Sequence, residues 1–242
     1  MNNSLQQIGF EVDVISKIEF LEILRELIIL NNIKTDFSIR FTYLINEIDS
    51  WSSKRQPVFF IAPLIRDRNT VNLYKTMVLT ETRRISSYAM NTKVKCGANY
   101  INGRYALLEA NSKGADFPIL KNKDGFISES SGACIFLVKN GVITTPSLDC
   151  DILESITRDT VLKIFLKHKF NTEERLITEE ELYESDEIFL CGTAAEITPI
   201  RSVDRIIIGN GKRGAMTSEL QNKFFGLFSE DTKNYDHWLE SV

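Results

Sequence analysis

The stretch Glu187-Ile-Phe-Leu-Cys-Gly-Thr-Ala-Ala-Glu-Ile-Thr-Pro199 joins an apolar segment to a block of small residues and then to a second apolar segment. Glu187 to Gly192 reads as a buried strand and Glu196 to Val203 as another. Between them Cys191-Gly-Thr-Ala-Ala195 carries little side-chain bulk, so backbone N–H groups can come close to a ligand. Taken alone, the block is a tight corner between two strands.

Working outward from this corner, the pattern alternates strands with helices. Upstream lie a helix from about Ser155 to His168, a Thr178-x-x-Glu181 capping box, and strands at Phe117 to Leu120, Phe126 to Glu129, Cys134 to Val138 and Val142 to Thr145. Asn140-Gly141 marks a two-residue hairpin turn. A helix from Asn99 to Lys113 ends at Gly114, and a last one spans Thr217 to Phe228 after the polar turn Gly209 to Gly214. Near the N-terminus, the capping box Ser16-Lys-Ile-Glu19 opens a helix through Ile28 that Asn31-Asn32 stops. Strand-like runs follow at Phe37 to Ile45, Pro57 to Ile65 and Leu73 to Thr80, separated by polar residues 46 to 56 and the loop Arg66 to Asn72. This is an α+β pattern: a small N-terminal domain over residues 1–82, a linker over 83–90 and a larger domain over 91–242.

With 242 residues, 43% hydrophobic and 26% charged, the chain can bury a real core. The net charge is −4 and the basic residues are dispersed, so nucleic acid is not an expected partner. No stretch is apolar enough to span a bilayer, and the four cysteines show no C-x-x-C spacing, which fits reduced thiols in the cytosol. His168 and His237 are the two histidines; each sits in a polar stretch, so no metal site is expected.

Two further places could carry chemistry. In Ser155-Ile-Thr-Arg-Asp159 a loop enters a helix whose first N–H groups lack partners, a geometry and dipole suited to phosphate. In Thr92-Lys-Val-Lys-Cys-Gly-Ala-Asn-Tyr100, Lys95 stands among small residues at a helix start, with Glu129 in a later Gly-Phe-Ile-Ser-Glu-Ser-Ser-Gly stretch. A lysine shielded from water loses basicity and can form a Schiff base with an aldehyde. An isolated lysine is otherwise a solvated charge.

These stretches occur in this order in one family. On VKCGANYINGRYALLEA (94–110), DGFISESSG (124–132), ITRDTV (156–161), ELYESDEIFLCGTAAEITPIRSVD (181–204) and IGNGKRGAMTSELQNKFFGLF (208–228), the chain resembles the class IV pyridoxal-phosphate aminotransferases. It looks most like bacterial branched-chain amino-acid aminotransferases. The resemblance implies the two-domain fold type IV shared with D-amino-acid aminotransferase, with an incomplete small domain, a homodimer, and pyridoxal 5'-phosphate as cofactor. The implied reaction passes the amino group of a branched-chain or similar apolar L-amino acid to 2-oxoglutarate.

By position, the resemblance makes Lys95 the residue that bonds to the cofactor and the catalytic amine, with Lys93 structural or solvent-facing. Tyr100 faces the ring oxygen, Glu129 the pyridine nitrogen, and Leu153 packs on the ring face. Backbone N–H groups of Ile156 and Thr157, with Thr193, hold the phosphate. Thr193 and Ala194 receive the substrate carboxylate, and Arg40 the side-chain carboxylate of glutamate. The alternatives within reach of the same motifs are a silent remnant of the fold, a D-amino-acid transaminase and an aminodeoxychorismate lyase.

Three departures from the family pattern stand out. Ser130-Ser-Gly-Ala-Cys134 replaces Gly-x-Gly-Glu-Asn, Glu154-Ser155 replaces Pro-Gly, and Ser38 replaces a tyrosine at the substrate mouth. Glu154 must point away if phosphate is to bind nearby. The segment from Met1 to Phe10 resembles the middle of the family's small domain, so the strands that usually precede it, and an arginine that clamps the phosphate, are expected to fall before Met1.

Overall fold

The computed structural model describes the chain except residues 1, 11, 13, 14, 47–49, 51, 53, 55, 66–72, 229–237 and 241, and the side chain of Asn2. The polar loop Arg66 to Asn72 and His237 lie outside the described residues. Two compact units are present: residues 1–68 with 233–242, and residues 69–232.

In the first unit, helices α1 (Asn2–Gln7) and α2 (Lys17–Leu30) accompany a hairpin of β1 (Phe37–Leu44) and β2 (Val58–Ile65). The Ser16 hydroxyl accepts the Glu19 N–H at 3.1 Å, as an N-cap should. Asn31 then caps the other end, and Asn32, at φ 48°, turns the chain out of the helix. The hairpin is antiparallel from Phe37↔Ile65 to Leu44↔Val58. Phe41 of β1 packs on Phe20 of α2 and Phe59 of β2, with centroids 5.4 and 5.2 Å apart.

The second unit is built on an eight-stranded sheet. Its strands are β3 (Lys75–Leu79), β4 (Phe117–Ile119), β5 (Cys134–Lys139), β6 (Val142–Pro146), β7 (Asn171–Arg175), β8 (Glu187–Gly192), β9 (Glu196–Val203) and the short β10 (Ile206–Ile207). The order is β4-β3-β9-β8-β5-β6-β7, with β10 on β9. The middle strands β9, β8, β5 and β6 are antiparallel, while β3/β4, β3/β9 and β6/β7 are parallel. Parallel neighbours need helical crossovers, supplied by α3 (Gly97–Ser112) between β3 and β4 and by α4 (Ile156–Lys167) between β6 and β7.

Both faces of the central strands are buried. Ile135, Leu137, Ile188 and Leu190 join Met77, Ile119 and Ile200 in one core cluster. On the other face Phe136 stacks on Phe189 at 5.0 Å with Phe165 of α4 against them. Strands covered on both sides read as continuous apolar runs, which is why Cys134–Val138 and Ile188–Cys191 were legible.

Three details differ from the sequence reading. The strand at Leu73 to Thr80, counted there with the N-terminal part, is β3 of the larger sheet, because its ladder partners are β4 and β9. Phe126 to Glu129 makes one bridge, Lys121↔Ile127, and not a strand. The last two helices run Glu179–Tyr183 (α5) and Ala215–Gly226 (α6), the latter starting two residues early. The reason is Glu187, whose carboxylate accepts the N–H groups of Met216 and Thr217 at 3.0 and 2.9 Å and so caps the helix.

Glu109 of α3 fastens the segment that leaves β3. Its carboxylate accepts the N–H groups of Glu81 (2.7 Å) and Thr82 (3.1 Å), the Thr82 hydroxyl (2.9 Å) and Lys113 Nζ (2.8 Å). Burial opposes its charge, but Lys113 and the N–H donors prevail and hold its pKa at about 2, below the ordinary 4.5. A depressed folded pKa gives stability that is present above 4.5 and lost as pH falls toward 2. Glu109→Gln is therefore expected to flatten the pH dependence of unfolding between those values, measured by urea denaturation at each pH. An unchanged slope would show that these contacts do not hold the ionised form.

Candidate functional site

Lys95 lies two residues before α3, in a turn fixed by its neighbour Asn99. The buried Asn99 side-chain amide donates to the carbonyls of Asn91 (3.0 Å) and Val94 (2.7 Å). Held this way, the Lys95 amine donates to the Tyr100 hydroxyl at 2.8 Å and lies 5.4 Å from its ring centroid. The Asn-Tyr pair that opens the helix thus serves the lysine directly: one residue locks the turn, the other meets the amine.

Glu129 sits at the end of the stretch that follows the bridge to Lys121. It is 8% exposed, and its Oε1 lies 2.8 Å from Arg84 Nε. The Nε–H is not aimed squarely at that oxygen, so the contact is a close charge pair and not a well-aligned hydrogen bond. The other oxygen accepts the Leu153 N–H at 3.3 Å. Burial pushes the Glu129 carboxyl up, against the pull of the Arg84 charge, the Leu153 N–H and the Lys95 charge.

Backbone contacts draw the remaining pieces together. A Cβ added to Gly103 of α3 would meet Ser131 O at 2.6 Å, and one added to Gly192 would meet Gly132 O at 3.3 Å. A Cβ on Gly132 would in turn touch the Tyr100 ring at 4.0 Å. The first half of α3 and the small-residue corner after β8 therefore each lie against the loop after Glu129. Thr193 and Ala194 are exposed on that corner.

At the start of α4, the Ser155 hydroxyl accepts the Arg158 N–H at 3.2 Å, which leaves the N–H groups of Ile156 and Thr157 facing outward from the first turn. Helix α4 packs against β8. Arg158 in its first turn is close enough to act on the Cys191 thiol, which burial and the adjacent Cys134 push well up. Cys191 is thus an inert thiol. Glu154, the carboxylate that must avoid a phosphate, is engaged by Lys93 at 3.4 Å.

Of the residues expected from the sequence, Lys95, Tyr100, Glu129 and Leu153 converge in the second unit, and the 192–194 corner adjoins the loop after Glu129. Ile156 and Thr157 open the helix that packs against β8. Leu153 acts here through its backbone, as a donor to Glu129. Arg40 lies in the first unit, exposed on β1 opposite Ala62. A cleft of about 370 Å³ lined by Tyr74, Arg201, Ile207, Asn210, Gly211 and Lys212 holds none of these residues.

The sequence reading missed Arg84, Asn99 and Asn102. Arg84 follows Glu81-Thr-Arg in a polar segment where a second arginine looks like a solvated charge, and it becomes notable only through its burial at 7% exposure. Asn102 Oδ1 accepts from Arg84 Nη1 at 3.2 Å and from the Ile85 N–H at 3.0 Å.

Residues 1–203 match the family model described as amino-transferase class IV. The chain is 44% identical over 151 residues to the branched-chain-amino-acid aminotransferase of Pseudomonas aeruginosa, covering 62% of this chain and 49% of that protein. It is 38% identical over 165 residues to the Escherichia coli K12 protein of the same name, covering 68% of this chain and 53% of that one. It therefore spans about half the length of the curated relatives it matches. The crystal structure of the Escherichia coli branched-chain amino acid aminotransferase superposes with a TM-score of 0.92 at 31% identity, over 99% of this chain and 80% of that one. The branched-chain amino acid aminotransferase from Thermobaculum terrenum in its PLP form superposes with a TM-score of 0.89 at 30% identity, over 99% and 79%.

The Gly103 contact gives a direct check on this geometry. Because the obstruction is backbone, Gly103→Ala is expected to cost about 1–3 kcal/mol by thermal or urea unfolding. Unchanged stability would mean that α3 does not lie against Ser131.

Proposed function

The chain belongs to the class IV aminotransferases, and from that membership we propose that it passes the amino group of a branched-chain or similar apolar L-amino acid to 2-oxoglutarate, with pyridoxal 5'-phosphate as cofactor. One observation carries the reading: an amine held 2.8 Å from the Tyr100 hydroxyl, whose ring lies beside the loop that follows the buried carboxylate of Glu129. Relatives of the same family named as branched-chain aminotransferases support the choice of substrate.

The residues present fit the cofactor. A pyridine nitrogen stays protonated when a carboxylate faces it, and Glu129 is a carboxylate held by a permanent cation and an N–H group. A phosphate suits helix N–H donors, which Ile156 and Thr157 offer at the start of α4. The close backbone approach at Gly132 and Gly192 leaves the Thr193 corner free of side-chain bulk. When bound, the cofactor supplies an electron-accepting ring beside the substrate α-carbon.

The chain's own groups then divide the work. Lys95 would hold the cofactor through its amine, and that amine, when free and uncharged, would take the proton of the substrate α-carbon onto its own nitrogen. Tyr100 keeps that amine in place by accepting its hydrogen bond. The N–H groups of Thr193 and Ala194 receive the substrate carboxylate. Small amino and 2-oxo acids are the reaction partners, the working form is a homodimer, and the compartment is the cytoplasm.

Incubation with pyridoxal phosphate followed by borohydride reduction is expected to leave the cofactor mass on the peptide carrying Lys95. Lys95→Ala should lose the adduct and at least about a hundredfold in transamination of leucine, isoleucine or valine, the scale of a lost general acid–base. Full activity in Lys95→Ala would overturn the assignment, and pyruvate release without an acceptor would redirect it to a lyase.

A further inference from the structure

We propose that Arg84 is a positioning residue for this reaction: it keeps the Glu129 carboxylate ionised, so that the proton between Glu129 and the cofactor's ring nitrogen rests on the nitrogen. The inference depends on the reading that pyridoxal phosphate binds with that nitrogen at Glu129.

A carboxylate withdrawn from water takes up a proton unless a cation or donors answer it. A protonated Glu129 would donate to the ring nitrogen instead of accepting from it. The ring would then lack the positive charge that draws electrons from the substrate. Among the described residues three groups answer Glu129: Arg84 Nε at 2.8 Å, the Leu153 N–H at 3.3 Å, and the Lys95 charge. Lys95 cannot serve throughout, because its amine must be uncharged to act. An N–H group carries only a dipole. Arg84 remains, and a guanidinium does not lose its proton at any working pH.

Arg84 is itself fixed for this purpose. It is 7% exposed, its own N–H donates to Lys121 O at 2.9 Å, and its Nη1 donates to Asn102 Oδ1 at 3.2 Å. Asn102 is held in turn, donating to Arg83 O at 2.8 Å. Helix α3 thus carries the tyrosine that meets the amine and, two residues on, the amide that holds the arginine. Arg83, by contrast, contributes its carbonyl.

The test reads Glu129 by infrared titration of the cofactor-free protein, its carboxyl band identified by loss in Glu129→Gln. In Arg84→Gln the protonation midpoint is expected to rise by at least about one pH unit, the size of an opposite charge removed at this range. Arg84→Lys should rise less. With ring-labelled pyridoxal phosphate bound, the 15N shift in Arg84→Gln should move toward the unprotonated nitrogen. A midpoint unchanged in Arg84→Gln overturns the proposal, as does a moved midpoint with an unmoved 15N shift. If Arg84→Gln does not fold, recovery on adding Glu129→Gln supports the pair and no recovery overturns it. A wild-type chain that takes up no cofactor overturns the functional reading instead, since the cofactor-free titration measures the coupling separately.

Discussion

A carboxylate at 8% exposure has to be answered by its surroundings, and the way Glu129 is answered organises the second unit. Its partners come from separate parts of the chain: Arg84 from the segment after β3, Leu153 from the segment before α4, and Lys95 from the turn before α3. Removing the carboxylate charge would leave the arginine buried without its counter-charge. Breaking such a pair is costly, typically about 3–5 kcal/mol, because the survivor is left uncompensated. The chemistry and the packing therefore share one point of dependence.

That point is reached by backbone as much as by side chain. Gly103 lets α3 lie against Ser131, and Gly192 lets the corner after β8 lie against Gly132. A larger residue at 103 would push α3 away from the loop after Glu129, and one at 192 would push the corner after β8 away from it. The sheet supports this by holding β5 and β8 in register, with Cys134 opposite Cys191, so that the loop before one strand and the corner after the other sit side by side. Glu109 and Asn102 do the same service for the polar segment 81–85, which has no ladder of its own.

Much of the architecture was legible because burial writes itself into composition. Strands covered on both faces appear as apolar runs, and Asn140-Gly141, with both residues at positive φ (49° and 77°), appears as a hairpin turn. Lys95 and Glu129 were not legible by periodicity: a lone lysine and a lone glutamate carry no spacing signal, and their pairing came from resemblance to a family. Arg84, Asn99 and Asn102 escaped altogether, since each looks like a solvent-facing polar residue until the fold supplies its partner. The placement of β3 depended on a parallel pairing with β9, a contact between segments far apart in the chain that no local pattern encodes. Arg40 is placed by resemblance, and its strand belongs to the other unit.

The chemistry turns on where one aromatic nitrogen lies. A crystal structure of the chain grown with pyridoxal phosphate is predicted to show the ring bonded to Lys95 Nζ, its nitrogen within hydrogen-bonding distance of Glu129 and Arg84 still against that carboxylate. A ring bound elsewhere, or one whose nitrogen faces solvent with Glu129 unengaged, would contradict it.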